Sequence, residues 1–228
     1  MTKDKFKEKS AEVWTYILGA PKTVYLNFRC LPFMEAIHFP FVVSRRVHFT
    51  NLCGTIKVEG KLKPGNIKIG IGFTQVSDFR RDRTLLDWSG NVIFKGKCKI
   101  GAGSRISVAK NALLQFGDQF NMTSNSSIIC RNNIQFGTET LISWHCLLMD
   151  TDQHQIFDQA GNRTNQDHPI VIGNHVWIAA HSILLKGTQI PDDCVVAAGS
   201  RLNSKIEEKN VLIAGNPAQI TKHNIRWK

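Results

Sequence analysis

From Ile172 onward the chain repeats every six residues, as "IGNHVW IAAHSI LLKGTQ IPDDCV VAAGSR LNSKIE". Ile172, Ile178, Leu184, Ile190, Val196 and Leu202 hold the first place of each six without a miss. Val176, Ser182, Thr188, Cys194 and Ser200, all small or β-branched, hold the fifth. A repeat of this kind constrains architecture strongly, because each unit buries its apolar residue only against the next. Amphipathic helices would need apolar residues three and four apart. A period of six suits short strands joined by tight turns, three to a triangular coil, with coil stacked on coil. Gly173, Asn174, Gly187, Asp192, Asp193 and Gly199 fall between the strands, where turn conformations are needed.

The frame extends upstream through Phe94, Ile100 and Ile106, then Phe116, Met122, Ile128 and Ile134, then Phe136, Ile142 and Leu148. Shifts of phase near Leu113 and Gln135 mark adjusted corners. "GTIKVEGK" from Gly54 is echoed by "GNVIFKGK" from Gly90, and "VSDFRRDRTLLDWSG" interrupts the pattern between them. The expected organisation is an N-terminal cap region over 1–53, a solenoid over 54–217 and a basic helix or tail over 218–228. Within the cap, residues 3–18 are expected to form a short amphipathic helix, apolar through Phe6, Val13, Trp14, Ile17 and Leu18. Covering the open end of the solenoid is the preferred role for it, ahead of membrane contact.

A net charge of +11 calls for an anionic partner: nucleic acid, a membrane face, or an anionic small molecule or polysaccharide. The basic residues are spread along the chain and no nucleic-acid motif accompanies them, so nucleic acid is set aside. Six scattered cysteines without a C-x-x-C pair argue for free thiols in a reducing compartment, against a zinc site or a disulfide scaffold. "MTKDKFKEKS" leads into no apolar signal-peptide segment, and the most apolar window, Cys30 to Val43, is too short to span a bilayer. A cytoplasmic location is expected.

Titratable residues break the repeat at "LLMDTDQHQIFD", Leu147 to Asp158. Leu148 is the last inward aliphatic before "DTDQHQIFDQAGNRTNQDHP", and the frame resumes at Ile170 to Ile172. Residues 150–170 are therefore expected as an excursion from the wall, although the spacing from Leu148 to Ile172 stays a multiple of six.

"PIVIGNHVWIAAHSILLKGTQIPDDCVVAAGSRLN…VLIAGNPAQI", Pro169 to Ile220, closely resembles the hexapeptide-repeat acyltransferases, nearest to bacterial O-acetyltransferases of sugars and surface polysaccharides. The resemblance implies an all-β fold, a left-handed parallel β-helix with a short N-terminal helical or extended cap and a short C-terminal helix. The hand comes from the resemblance alone, since the general rule for parallel crossovers predicts the opposite one. It also implies a homotrimer with sites between subunits, acetyl-CoA as donor and a carbohydrate acceptor.

Residue roles follow from the same resemblance. His154 is the expected general base, with Asp150 or Asp152 orienting its ring; the sequence does not choose between them. Trp177 is expected near the thioester, Ala179 and Ala180 at its carbonyl, and Ala197 and Ala198 along the pantetheine path. Ala179 stands where the family often has glycine. Lys186, Arg201 and Lys222 are candidates for the CoA phosphates, and His145 with Trp144 for the acceptor pocket. His175 and His181 fall at turns and are expected on the surface. "DTD" as a metal-binding pair lacks a nucleotide-binding α/β pattern around it. No His/Cys/Asp/Glu set has metal-ligand spacing, so no metal is expected. N-acyl transfer to an amino sugar and a noncatalytic β-helix are the alternatives; His154 and Trp177 speak against the latter. The positive charge would suit CoA, an acidic glycan, or a lipid-linked acceptor met by peripheral contact at the inner membrane face.

Overall fold

The computed structural model describes residues 3–228 apart from 73, 75, 76, 79 and 80, with side chains from residue 14 onward. Three parallel sheets run the length of the molecule, and the chain visits them in rotation. The first sheet starts with Phe41–Val43 and the second with Val47–Leu52; the third starts with Ile56–Val58. This is a parallel β-helix of triangular cross-section.

Stacked inward residues show how the coils differ. In the second sheet Ile106, Ile128, Leu148, Leu184 and Leu202 lie in register, each buried, so that successive coils take 22, 20, 36 and 18 residues. From Phe94 onward, steps between the third and first sheets are six, as from Phe116 to Met122 and Ile172 to Ile178, whereas Val58 to Ile69 in the first coil takes 11. From Ile100 onward the same holds between the first and second, as from Ile142 to Leu148, whereas Ile69 to Leu86 takes 17 across the interrupting segment. Beyond that first coil, only the corner between the second and third sheets varies. There Leu86 to Phe94 takes 8 residues, Ile106 to Phe116 takes 10, Ile128 to Phe136 takes 8, Leu148 to Ile172 takes 24 and Leu184 to Ile190 takes 6. The shifts of phase near Leu113 and Gln135 both belong to this corner. The excursion is its largest insertion, and because it adds a multiple of six it leaves the downstream frame in phase.

Longer corner strands place two inward residues per side instead of one, such as Ile106 with Val108 and Leu114 with Phe116. That wider interior holds a ladder of rings, Phe94 on Phe116 on Phe136, with centroids 5.1 and 5.8 Å apart. The other two corners use left-handed backbone. Asn125, His145 and His181 stack in one ladder at φ of 51°, 57° and 61°, and Glu139, His175 and Asp193 in another at 57°, 51° and 60°. His175 and His181 are thus turn residues, as expected.

The ends differ from expectation. The first helix, α1, is not short: it spans Lys3–Cys30 and is followed by α2, Phe33–Ala36. Gly19 lets the helix lie flush on the first coil. A Cβ there would sit 2.1 Å from the Val43 carbonyl oxygen. Pro21 faces outward. Thr23 and Asn27 then bond the open edge of the solenoid in place of a strand. The Val43 N–H donates to Thr23 Oγ1 at 3.0 Å, and the Phe41 N–H to Asn27 Oδ1 at 3.1 Å. Asn27 Nδ2 returns a bond to the Phe41 carbonyl at 2.8 Å. Such capping satisfies an edge that would otherwise recruit another chain. Phe6 and Val13 lie outside the described side chains.

The solenoid begins at Phe41, paired with Ile67, rather than at residue 54. Its first six-residue step, Phe41 to Val47, is hidden in an apolar run. Of the interrupting segment, Val76, Phe79 and Arg80 lie outside the described residues, and Thr84–Trp88 is a regular strand of the second sheet. At the C-terminus there is no helix from 218. Ala218–Lys222 is an antiparallel strand on Leu212–Gly215, because Ala218 and Ile220 pack on the core while Gln219 and Thr221 face out, a period of two.

Candidate active site

The excursion leaves after Leu147–Met149 and returns at Ile170–Ile172. Its first residue never leaves the wall. Asp150 is fully buried, and its carboxylate accepts three backbone N–H bonds from the corner of the preceding coil: Arg131 at 2.7 Å, Asn132 at 2.9 Å and Asn133 at 2.7 Å. That corner carries extra residues whose N–H groups have no strand partner, and Asp150 supplies one. It holds the root of the excursion and is not brought to the ring of His154.

Asp152 has a different task. Its Oδ2 accepts from Lys186 Nζ at 2.6 Å and from Asn165 Nδ2 at 2.9 Å. The Lys186 hydrogen bond first, and Asn165 second, hold its carboxyl below the ordinary aspartate range. Neither aspartate hydrogen-bonds the His154 ring among the described residues. Lys186 is engaged with Asp152 and anchors the loop.

Asn165, which the sequence reading did not single out, is the centre of the loop. It is almost buried. Its Nδ2 donates to Asp152 and also to the His154 carbonyl at 2.8 Å, and its Oδ1 accepts the Ile156 N–H at 2.7 Å. The His154 N–H closes a turn onto the Asp152 carbonyl at 2.7 Å. The backbone at His154 is therefore tied on both sides while its side chain stands exposed. Beyond it Phe157 and Arg163 bridge as a small hairpin whose turn Asp158 caps through the N–H groups of Ala160 and Asn162, both within 2.9 Å. These N–H bonds depress the Asp158 carboxyl. The loop is a folded platform. Only a buried, doubly used amide marks Asn165, and one polar residue among "RTNQD" gives no such signal in sequence.

Above the loop's root, Trp177 is half-buried and donates from Nε1 to Ser143 Oγ at 3.1 Å. Ser143 is a second residue missed. The Ala179 N–H is spent on the Val196 carbonyl at 2.9 Å, and the Ala197 N–H on that of Ile213 at 2.8 Å. The Ala180 N–H donates to no protein acceptor among the described residues. Ala198 is exposed, as are Arg201 and Lys222. His145 is an exposed corner residue stacked on His181 at 5.0 Å, and Trp144, half-buried, gives its carbonyl to the His181 N–H. Burial pushes the Cys146 thiol up to about 11, and burial followed by Asp150 raises that of Cys130 further, so neither offers a thiolate. Among the described residues no cluster of His, Cys, Asp and Glu could hold a metal.

The chain is 36% identical over 190 residues to a polysialic acid O-acetyltransferase of Neisseria meningitidis, covering 81% of this chain and 75% of that one. The chain belongs to the hexapeptide-repeat O-acetyltransferase family. No protein-family model matches it. This O-acetyltransferase is also 31% identical over 120 residues to a galactoside O-acetyltransferase of Escherichia coli strain K12, covering 53% and 55% of the two chains. Its fold matches the crystal structure of the polySia-specific acetyltransferase NeuO with a TM-score of 0.56 at 20% identity, over 82% of this chain and 75% of that one. The O-acetyltransferase is thus an acyl-transferring enzyme on a left-handed parallel β-helix.

Proposed function

We propose that the enzyme transfers an acetyl group from acetyl-CoA to a hydroxyl of a sugar or surface-polysaccharide precursor, with His154 as general base. The observation that carries this is the platform: Asn165, Asp152 and Lys186 hold the backbone at an exposed histidine where the wall opens. A sugar hydroxyl is too basic to ionise at neutral pH. A neutral imidazole within hydrogen-bond reach takes its proton as the oxygen attacks the thioester carbonyl carbon. The Ala180 N–H, without a protein acceptor, is suited to receive the oxyanion that forms. As the C–S bond breaks, the imidazolium returns the proton to the leaving sulfur, giving the acetyl ester and the free thiol. Trp177, fixed through Ser143, would flank the acyl group. Ala198 would line the pantetheine path, and Arg201 and Lys222 are the cations left for the CoA phosphates. His145 and Trp144 would face the acceptor.

Exposure of His154 in one chain fits a site completed by a neighbour in a homotrimer. The outer face of the second sheet near the loop's root supports that assembly, because Ile129, Leu147, Met149, Ile183 and Leu185 point outward there. The loop tip adds Ile156 and Phe157, both more than half exposed. Thiol release from acetyl-CoA across a panel of glycans, comparing wild type with His154→Ala, tests the reading. Unchanged turnover in the variant would remove His154 from its role. Turnover with amino sugars alone would replace O- by N-acyl transfer.

A further inference from the structure

At the end of the solenoid away from the loop, α1 turns Gly19, Thr23 and Asn27 onto the first coil, leaving its opposite side bare. Trp14, Ile17, Leu18 and Phe28 recur there at three- and four-residue spacing or its multiples, all exposed. The seam continues into α2 through Phe33 and Met34, exposed at 68% and 69%. Single exposed apolar residues are ordinary, but a continuous seam of aromatics marks a contact surface.

The cations beside it are the second observation. Lys22 of α1, Arg45 and Arg46 of the corner before Val47–Leu52, and Arg83 before Thr84–Trp88 line a pocket of about 250 Å³ with Val47. No carboxylate lines it, and among the described residues none of the four is in an ion pair. Lys22 Nζ donates to the Val47 carbonyl, which fixes the ammonium at the pocket wall. Burial first, and the Arg83 charge second, lower its pKa. Four cations held together without a counter-ion repel one another, and the fold tolerates this where an anion is to be met. Guanidinium forks suit phosphate oxygens in particular. Four strand spacings separate Val47 from Leu147 in the second sheet, roughly 19 Å along the axis, so the pocket is distinct from the loop site.

We propose that this end of the enzyme docks on a phosphate-bearing lipid surface, the four cations holding headgroup phosphates and the seam of α1 and α2 entering the apolar layer. A soluble phosphate ester would satisfy the pocket and leave the seam bare. A two-fold contact with a second copy would cover the seam and bring two like-charged clusters together. An anionic bilayer offers both chemistries side by side, in the manner of a helix lying in the interface.

Flotation of the full chain with vesicles of phosphatidylcholine, with and without phosphatidylglycerol, tests this. Binding is expected only with phosphatidylglycerol and is expected to weaken with salt. Loss of each arginine should cost about fivefold, so roughly 25-fold for R45Q with R83Q, two exposed positions. The pair Ile17→Ser and Leu18→Ser should also release the chain, and circular dichroism should show wild-type helix in every variant. Equal binding to neutral vesicles, or binding insensitive to the arginines, would overturn the proposal. So would inorganic phosphate bound by calorimetry without vesicle binding, or a seam-dependent dimer in its place.

Discussion

Asn165→Ala should damage catalysis without unfolding the solenoid. The side chain makes three hydrogen bonds, to the Ile156 N–H, the His154 carbonyl and the Asp152 carboxylate, between 2.7 and 2.9 Å. Neutral bonds contribute about 0.5–1.5 kcal/mol net and those to a charge about 1.5–3 kcal/mol. They share one amide and are not additive, so about 3 kcal/mol of loop anchoring is at stake. Part of the platform survives the change, namely the Lys186–Asp152 pair, the turn from the His154 N–H and the Phe157–Arg163 bridge. The loop would then sample many conformations of which a small share presents His154 correctly. A loss of about 1.4–2.8 kcal/mol in the productive arrangement corresponds to about 10–100-fold in kcat.

Stability should hardly respond, because local order in an excursion can be lost without opening the core. Thiol-release kinetics and a thermal melt on the same preparation separate the two effects. Expected are kcat down by about 10–100-fold, KM for acetyl-CoA within about twofold, and Tm within about 4 °C, the scale of 1 kcal/mol in a chain of this size. Wild-type kcat would show that the amide does not position the base. A fall in Tm beyond about 10 °C would show that Asn165 belongs to the folding core and not to a loop platform.

Other perturbations discriminate between neighbouring residues. His154→Ala should lower kcat by about 10²–10⁴ with an unchanged melt. Asp150→Ala strips three buried N–H groups of their acceptor and should cost about 3 kcal/mol, seen as a Tm lower by about 6–12 °C, while kcat of the folded enzyme at low temperature stays within a few-fold. Lys186→Met should raise the Asp152 pKa toward the ordinary range. Since that pKa is depressed in the folded chain, the stabilisation it gives is present above the ordinary aspartate value of 3.8 and is lost as pH falls through the lower folded value. Loop order in the variant should therefore fail at a higher pH than in wild type, as followed by carboxyl NMR. Leu147→Glu, on the outer face of the second sheet, should yield a monomer by light scattering and abolish turnover if the site is shared between subunits.

Much of the fold could be read from the sequence for one reason. A six-residue repeat is a statement about register, and Ile178, Leu184 and Ile190 occupy the three sheets in the order their spacing requires. Where reading failed, tertiary contacts overrode local signals. The helix runs through Gly19 and Pro21 because the first coil needs a partner for its edge, a requirement invisible in the helix's own residues. The C-terminal strand from Ala218 differs from the expected helix because a basic tail masks its two-residue alternation. The corner insertions looked like two separate irregularities until the sheets placed them together.

The site divides along the same line. His154 stands out because it interrupts a periodic wall, whereas the groups that hold it are polar residues in a polar segment. Asp150 and Asp152 look interchangeable in "DTD", yet one residue of offset decides their environments. Asp150 is still in the frame of the wall, facing inward onto the N–H groups of the coil below, and Asp152 is two places along, out of the frame and within reach of Lys186. The Asp150 carboxylate is fully buried and accepts three backbone N–H bonds and the Cys130 thiol, and Asp152 Oδ2 is turned onto Lys186 and Asn165, so neither is directed at the imidazole. If His154 acts as the proposed base, its orientation falls to the backbone ties at His154 and to what the acceptor or a neighbouring subunit brings. On this arrangement Asp152→Asn should weaken the loop through Lys186 and lower kcat, with Lys186→Met at the same position in the network adding little further loss. Equal and independent losses from the two substitutions would instead give Asp152 a direct contact with the imidazole, and the double variant is the measurement that separates the cases.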